Sequence, residues 1–300
     1  MKQLLIVVAV VGAVVSAPAH AALKVFACEP EWAALAQELG GDKVSVFSAT
    51  TAMQDAHHIE ARPSLIAKLR QADLAVCTGA ELEAGWLPVL LRQVGNAGVQ
   101  PGQPGYFEAA TMVARLEIPT RLDRSLGDIH ASGNPHVHTD PRRMAAVAAK
   151  LAERLAQIDV ANAAFYRTRH DSFAARWQQA IQTWSARAAP LKGMRAVAHH
   201  RDLIYLYGWL GLVDAGTLEP KPGIPPTAAH LAELKQALAQ NPARAVLRTP
   251  FQDARPSEWL AREAGVRAVL LPYTVGGTPA AKDLFALFDD TVTRLLEAAK

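Results

Sequence analysis

From Val160 to Ala188 the chain runs without a proline or a glycine, and Tyr166, Phe173, Trp177, Ile181 and Trp184 recur along it at helical spacing. The spacing predicts one continuous helix on the order of 40 Å long, at about 1.5 Å rise per residue. A helix of that length inside a chain of 300 residues can brace two lobes, with the aromatic stripe as its buried face.

The segments on either side share one rhythm. Lys24–Ala27, Val44–Phe47 and Leu74–Cys77 read as strands. Between them lie a helix through Trp32, Leu35 and Leu39, stopped by Gly40-Gly41, and a helix opened by Pro63 that carries Leu65, Ile66 and Leu69. Asp140-Pro141 reads as an N-cap with proline at the first helical position, and Met144, Val147, Leu151 and Leu155 follow on one face. After Pro190 the rhythm restarts, with strands at Ala196–Ala198, Ala245–Leu247 and Ala268–Leu271. Helices are expected around Leu203–Leu210, Ala228–Leu238, Glu258–Ala264 and Asp283–Ala299. Strand and helix alternating in this way predict parallel βαβ units. The expected fold class is α/β: two parallel-sheet lobes, residues 22–157 and 190–300, joined by a linking helix over 158–189.

The N-terminus predicts export. Met1-Lys2-Gln3 is a short basic start, Leu4 to Val15 is an apolar run too short to span a bilayer, and Ala19-His20-Ala21 matches an A-x-A cleavage site. Residues 1–21 are thus expected to be a cleaved signal peptide, with the mature chain soluble in the periplasm. Val25-Phe26-Ala27-Cys28 loosely resembles a lipid-attachment box, but Lys24 separates it from the apolar run and the segment reads better as a strand. The net charge of +3 is small and unclustered, which argues against nucleic acid as a partner. In an oxidising compartment the two cysteines, Cys28 and Cys77, favour a disulfide, since both end expected strands. The alternative is a pair of buried free thiols.

Ten histidines carry the chemistry. His57, His136 and His200 each lie where an expected strand or loop ends, close to a helix start, and Asp283 opens the last helix. Open α/β sheets bind ligands beyond the carboxyl ends of their strands, so two candidates per lobe put a metal in the interlobe cleft. Three imidazoles and a carboxylate suit a tetrahedral zinc shell. The other histidines carry blander readings. His20 falls in the signal peptide, while His170 and His230 sit in helical patterns. His58 and His199 adjoin better candidates. His130 and His138 flank His136 around a glycine-containing loop, Gly127 to Gly133, which is expected to pick up zinc transiently and pass it inward.

Several segments in order resemble the periplasmic metal-binding proteins of zinc and manganese ABC importers, over nearly the whole mature chain. Asp55-Ala56-His57-His58-Ile59-Glu60 with Pro63-Ser64 is similar to the family's Asp-Pro-His-x-Tyr-Glu segment. Ala72-Asp73-Leu74-Ala75-Val76-Cys77-Thr78-Gly79, then Leu82-Glu83 and Trp86-Leu87, resembles its next landmark. Asn134-Pro135-His136-Val137-His138-Thr139-Asp140-Pro141 resembles its Asp-Pro-His-Val-Trp-x-Asp-Pro, and Asn162-Ala163-Ala164-Phe165-Tyr166 the start of its backbone helix. The resemblance implies metal ligands at His57, His136, His200 and Asp283. The spacing to Tyr205 and Gly211-Leu212 selects His200 over His199, and the loop at Gly276-Gly277 before Asp283 selects the carboxylate. Ala56, Ile59 and His138 depart from the family pattern, and a long acidic, histidine-rich insertion is missing.

The implied function is capture of Zn²⁺ in the periplasm and delivery to an inner-membrane ABC permease, by a monomer that catalyses nothing. A periplasmic zinc chaperone is the expected supplier. The rival readings are a manganese binder of the same family, a zinc hydrolase and an adhesin. A histidine in third place shifts the site toward zinc rather than manganese, and neither His-Glu-x-x-His nor Gly-x-Ser-x-Gly occurs in the chain. Neutral imidazoles bind the ion, so acidification releases it.

Overall fold

A computed structural model of the chain describes residues 21–121, 127 and 130–300. The segment read as a signal peptide lies outside them up to residue 20, as do His20 and residues 128 and 129 of the histidine loop. Two parallel sheets dominate. The first is built from β1 (Leu23–Ala27), β2 (Val44–Ser48), β3 (Leu74–Cys77) and β4 (Tyr106–Glu108), in the order β2-β1-β3-β4. The second comprises β5 (Arg195–Ala198), β6 (Val213–Thr217), β7 (Ala245–Arg248) and β8 (Arg267–Leu270), in the order β6-β5-β7-β8. Every strand pairing within these two sheets is parallel. The central strand β3 is buried throughout, as expected of a parallel strand covered on both faces.

The first sheet is flanked by α1 (Pro30–Gly40), α2 (Pro63–Arg70) and α3 (Leu87–Val94), and α4 (Pro141–Ile158) follows. The Asp140 carboxylate accepts the Arg142 N–H at 2.9 Å, so α4 starts at the expected cap. The expected long helix is α5 (Ala163–Ala188), with a 3₁₀ turn at each end, Val160–Asn162 and Ala189–Leu191. Its aromatic stripe is buried as the sequence predicts. Trp177 shows how α5 joins the lobes: its indole N–H donates to the Pro141 carbonyl of α4 at 2.8 Å, while its ring meets Phe285 and Phe288 edge-on. Those two phenylalanines belong to α9 (Leu284–Ala299), the last helix, which runs beside the second sheet. One apolar cluster consequently spans α1, α4, α5, α9 and both sheets. The second lobe is completed by α6 (Ile204–Leu210), α7 (Ala228–Gln240) and α8 (Ala254–Ala264).

The sequence did not signal β4, β6 or α3. The two strands lie at sheet edges, pair on one side only and carry polar residues or glycine, so the apolar run that marks an inner strand is absent. The disulfide forms as expected. Cys28 and Cys77 directly follow the paired residues Ala27 and Val76 of β1 and β3, which brings their Cα atoms to 4.8 Å. Among the described residues no helix is long and apolar enough to cross a membrane.

Candidate metal centre

Three of the expected ligands converge. The ring centroids of His57, His136 and His200 form a near-equilateral triangle, with sides of 5.5, 5.7 and 5.8 Å. One ligand atom from each lies within 4.8 Å of the others. They border a cavity of about 180 Å³ that Asp55, Glu219 and Phe251 also line.

Each ring is held from behind through Nδ1. His57 lies in the connection after β2. Asp55 accepts both its backbone N–H at 3.0 Å and its ring Nδ1 at 2.7 Å. The indole of Trp86 anchors the same turn on the Ala56 carbonyl at 2.8 Å. Gly85 is required here, because a Cβ would come within 2.9 Å of the His57 carbonyl oxygen. His136 sits in the turn before α4 and is only 1% exposed. Its backbone N–H donates to the Asn134 side chain at 3.1 Å, and the Tyr205 hydroxyl fixes the Asn134 carbonyl at 2.6 Å. Its Nδ1 lies 2.7 Å from the Tyr273 hydroxyl. His200 follows β5 almost directly, and its Nδ1 lies 2.6 Å from the Glu219 carboxylate, just beyond β6.

With all three Nδ1 atoms engaged, the arrangement by which outer partners fix a ligand's tautomer, the Nε2 atoms are those that would meet an ion. That of His57 lies 3.3 Å from His130 Nε2. The His136 Nε2 is buried without a hydrogen-bond partner, an unmet need that a cation would fill. Burial, and then the neighbouring rings of His57 and His200, pushes the His136 imidazole well below its ordinary range, so it stays neutral and ready to ligate. Burial also disfavours the His200 cation, but the Glu219 hydrogen bond and the Asp202 and Glu219 charges outweigh it and raise its pKa. His200 is thus protonated before His136 as pH falls. Burial works to raise the Asp55 carboxyl, yet the hydrogen bond and charge of His57 bring it down to about 2. Buried Asp202, held by Gln252 at 2.9 Å, is pushed up to about 7 by loss of hydration.

The remaining sequence candidates fall elsewhere. Asp283 does not join the triangle: it is exposed, and its carboxylate caps α9 by accepting the Ala286 N–H at 2.8 Å. An aspartate before an apolar helix serves as an N-cap as readily as a ligand, and here the cap takes it. His138 is not on an accessible loop. It is 1% exposed, lies 3.3 Å from the Glu31 carboxylate and meets the Tyr273 ring edge-on at 4.7 Å. His58 is exposed beside His57, while His199 is buried at the cavity wall. His130 lies beside the triangle, with its ring 5.3 Å from that of His57, but outside the set whose ligand atoms meet within 4.8 Å. Sequence reasoning missed Glu219 and Tyr273. Asp55 was within the quoted motif, and its place two residues before His57 was the signal for a turn that also holds the ring.

The family model described as "ZnuA: Zinc-uptake complex component A periplasmic" matches residues 25–298. A search of curated proteins finds no match. Among solved structures, a crystal structure of ZnuA superposes with a TM-score of 0.78 at 21% identity, covering 93% of this chain and 100% of that one. A zinc-bound ZnuA mutant lacking its residues 138–173 gives 0.71 at 22% identity, covering 93% and 95%. The cadmium-bound periplasmic metal-binding protein of Candidatus Liberibacter asiaticus gives 0.75 at 15% identity, covering 93% and 100%. At these identities the structural likeness shows the shared fold.

Proposed function

The chain belongs to the ZnuA family of periplasmic zinc-uptake components, and from that premise we propose that it captures Zn²⁺ with His57, His136 and His200 and delivers it to an ABC-type permease in the inner membrane. Export through a cleaved signal peptide at residues 1–21 brings it to the compartment where the ion is met. The observation that carries this reading is the buried, unpartnered Nε2 of His136 facing two further imidazoles, each with Nδ1 already bound.

Three imidazoles favour zinc over manganese, because manganese takes hard oxygen ligands and stands lowest in the divalent affinity order. Asp55 and Glu219 are both committed to ligand rings, which suits holding an ion more than activating a water on it.

Titration of the metal-stripped protein with zinc against a competing chelator tests the proposal. One tight site is expected, weakened by His57→Ala, His136→Ala and His200→Ala by more than the roughly 10–100-fold that loss of an outer partner costs. Manganese should be displaced by stoichiometric zinc. Absence of a tight site, or a tight site indifferent to all three substitutions, overturns the assignment.

A further inference from the structure

With Asp283 committed to capping α9, the three-histidine triangle lacks the fourth protein ligand that the sequence assigned to it. We infer that His130 supplies that ligand, completing an all-imidazole shell, and that Glu81 positions it. This rests on the metal-capture reading above.

His130 Nε2 faces His57 Nε2 at 3.3 Å. In a tetrahedral zinc shell with Zn–N bonds of about 2.0–2.1 Å, neighbouring ligand nitrogens stand about 3.3–3.4 Å apart. The two rings thus already sit at the spacing of two ligands on one ion. The His130 ring also lies edge-on to that of His136, with centroids 6.2 Å apart. A second cavity of about 180 Å³ is lined by His130, His136 and His200, with Asp55 and His57 not among its lining residues. The buried Nε2 of His136 has no hydrogen-bond partner, and the His130 ring, outside the three whose ligand atoms meet within 4.8 Å, closes toward it to ligate.

The segment carrying His130 is fixed at several points. The Gly133 N–H closes a turn on the His130 carbonyl at 3.0 Å. Glu81 grips Ser132 twice, accepting its backbone N–H at 3.0 Å and its hydroxyl at 2.6 Å. The Arg115 guanidinium holds the Ser132 carbonyl, and the Asn134 N–H reaches the Leu116 carbonyl at 2.8 Å. Glu81 itself follows β3 on a turn where Ala80 and Glu81 both have positive φ, 49° and 63°. The carboxylate that would complete a three-histidine shell therefore acts one step back, holding the loop that brings a fourth imidazole. Four neutral ligands leave the bound ion its full double charge. Such a shell favours zinc and other late divalent ions over manganese more strongly than a shell with a carboxylate.

The test uses the full mature chain, stripped of metal and loaded with one equivalent of zinc. X-ray absorption at the zinc edge should count four imidazoles in the parent, and three plus one oxygen in His130→Ala. In the chelator titration His130→Ala should weaken binding at least about tenfold, Glu81→Ala should fall between it and the parent, and Asp283→Ala should match the parent. Glu81→Gln, which keeps an acceptor for Ser132, should recover most of the Glu81→Ala loss. A parent shell of three imidazoles and an oxygen, with Asp283→Ala weakened and His130→Ala unchanged, overturns this inference and leaves zinc capture standing. A parent that binds no zinc overturns the capture reading itself.

Discussion

The two sheets share one strand order, yet they put different chemistry at the same place. In each lobe the chain leaves an inner strand, β1 or β5, for one neighbour and then crosses to the other side. That reversal opens the crevice where open α/β sheets bind their ligands. In the second lobe the residues just past β5 are His199 and His200, and the His200 ring joins the three converging imidazoles there. In the first lobe the residues just past β1 are Cys28 and Glu29, and the crevice is closed. Cys28 is bonded to Cys77 at the end of β3, and beside the bridge lie Glu29 and Glu83, each 3% exposed. Glu83 accepts the Thr78 N–H at 2.7 Å and the Gly79 N–H at 3.1 Å, while Glu29 accepts the Thr78 hydroxyl at 3.0 Å. The first lobe therefore delivers its two converging imidazoles from connections, His57 after β2 and His136 before α4. Topology offers a site, and the residue following the strand decides whether it is used.

If the first crevice is a staple and the second a ligand seat, damage to each should be read by a different measurement. The largest effect should follow Cys28→Ala with Cys77→Ala. Opening a loop that joins residues 49 apart should cost about 4 kcal/mol in chemical denaturation, on the chain-entropy account of cross-links. Zinc affinity of the folded variant should be nearly unchanged, and a large loss would break the division of labour.

The next effect is a pH dependence that Glu83 contributes in the first lobe. Burial raises the Glu83 carboxyl from its ordinary 4.5 to about 7, so the folded state holds that proton more tightly than the unfolded chain. The cost of ionising it is absent below about pH 4.5 and grows until the pH passes about 7, reaching on the order of 3 kcal/mol. Burial, followed by the charges of Glu83 and Glu31, raises Glu29 in the same direction. Metal-free parent protein should thus lose more stability between about pH 5 and pH 8 than Glu83→Gln does. Equal losses in denaturation at the two values would remove Glu83 as the cause.

The smallest effect sharpens the second lobe. Removing the carboxylate behind His200 by Glu219→Ala should weaken zinc binding about 10–100-fold, as loss of an outer partner does. Thermal stability of the metal-free protein should change little by comparison. A collapse of the fold with unchanged affinity would reverse the roles assigned to the two crevices.

Much of this was legible in the chain. Inner strands such as Leu74–Cys77 are continuous apolar runs, α5 is marked by helical aromatic spacing, and α4 by its Asp140-Pro141 cap. These signals act between residues a few positions apart. His57, His136 and His200 were legible too, because each lies in a short pattern at the end of an element. The place of Asp283 was not legible, because a carboxylate before an apolar helix carries two meanings, and no neighbour in sequence chooses between them; in the structure it caps α9.

Sequence alone therefore determined the α/β rhythm, the long joining helix and the three imidazoles, since periodicity, capping and strand burial are short-range physics. Tertiary structure decided everything that depends on residues meeting across the fold. Tyr273 reaches His136 over 137 positions and His130 reaches His57 over 73. Those distances are closed by the packing of both lobes onto α5 through α1, α4 and α9, which no local pattern encodes.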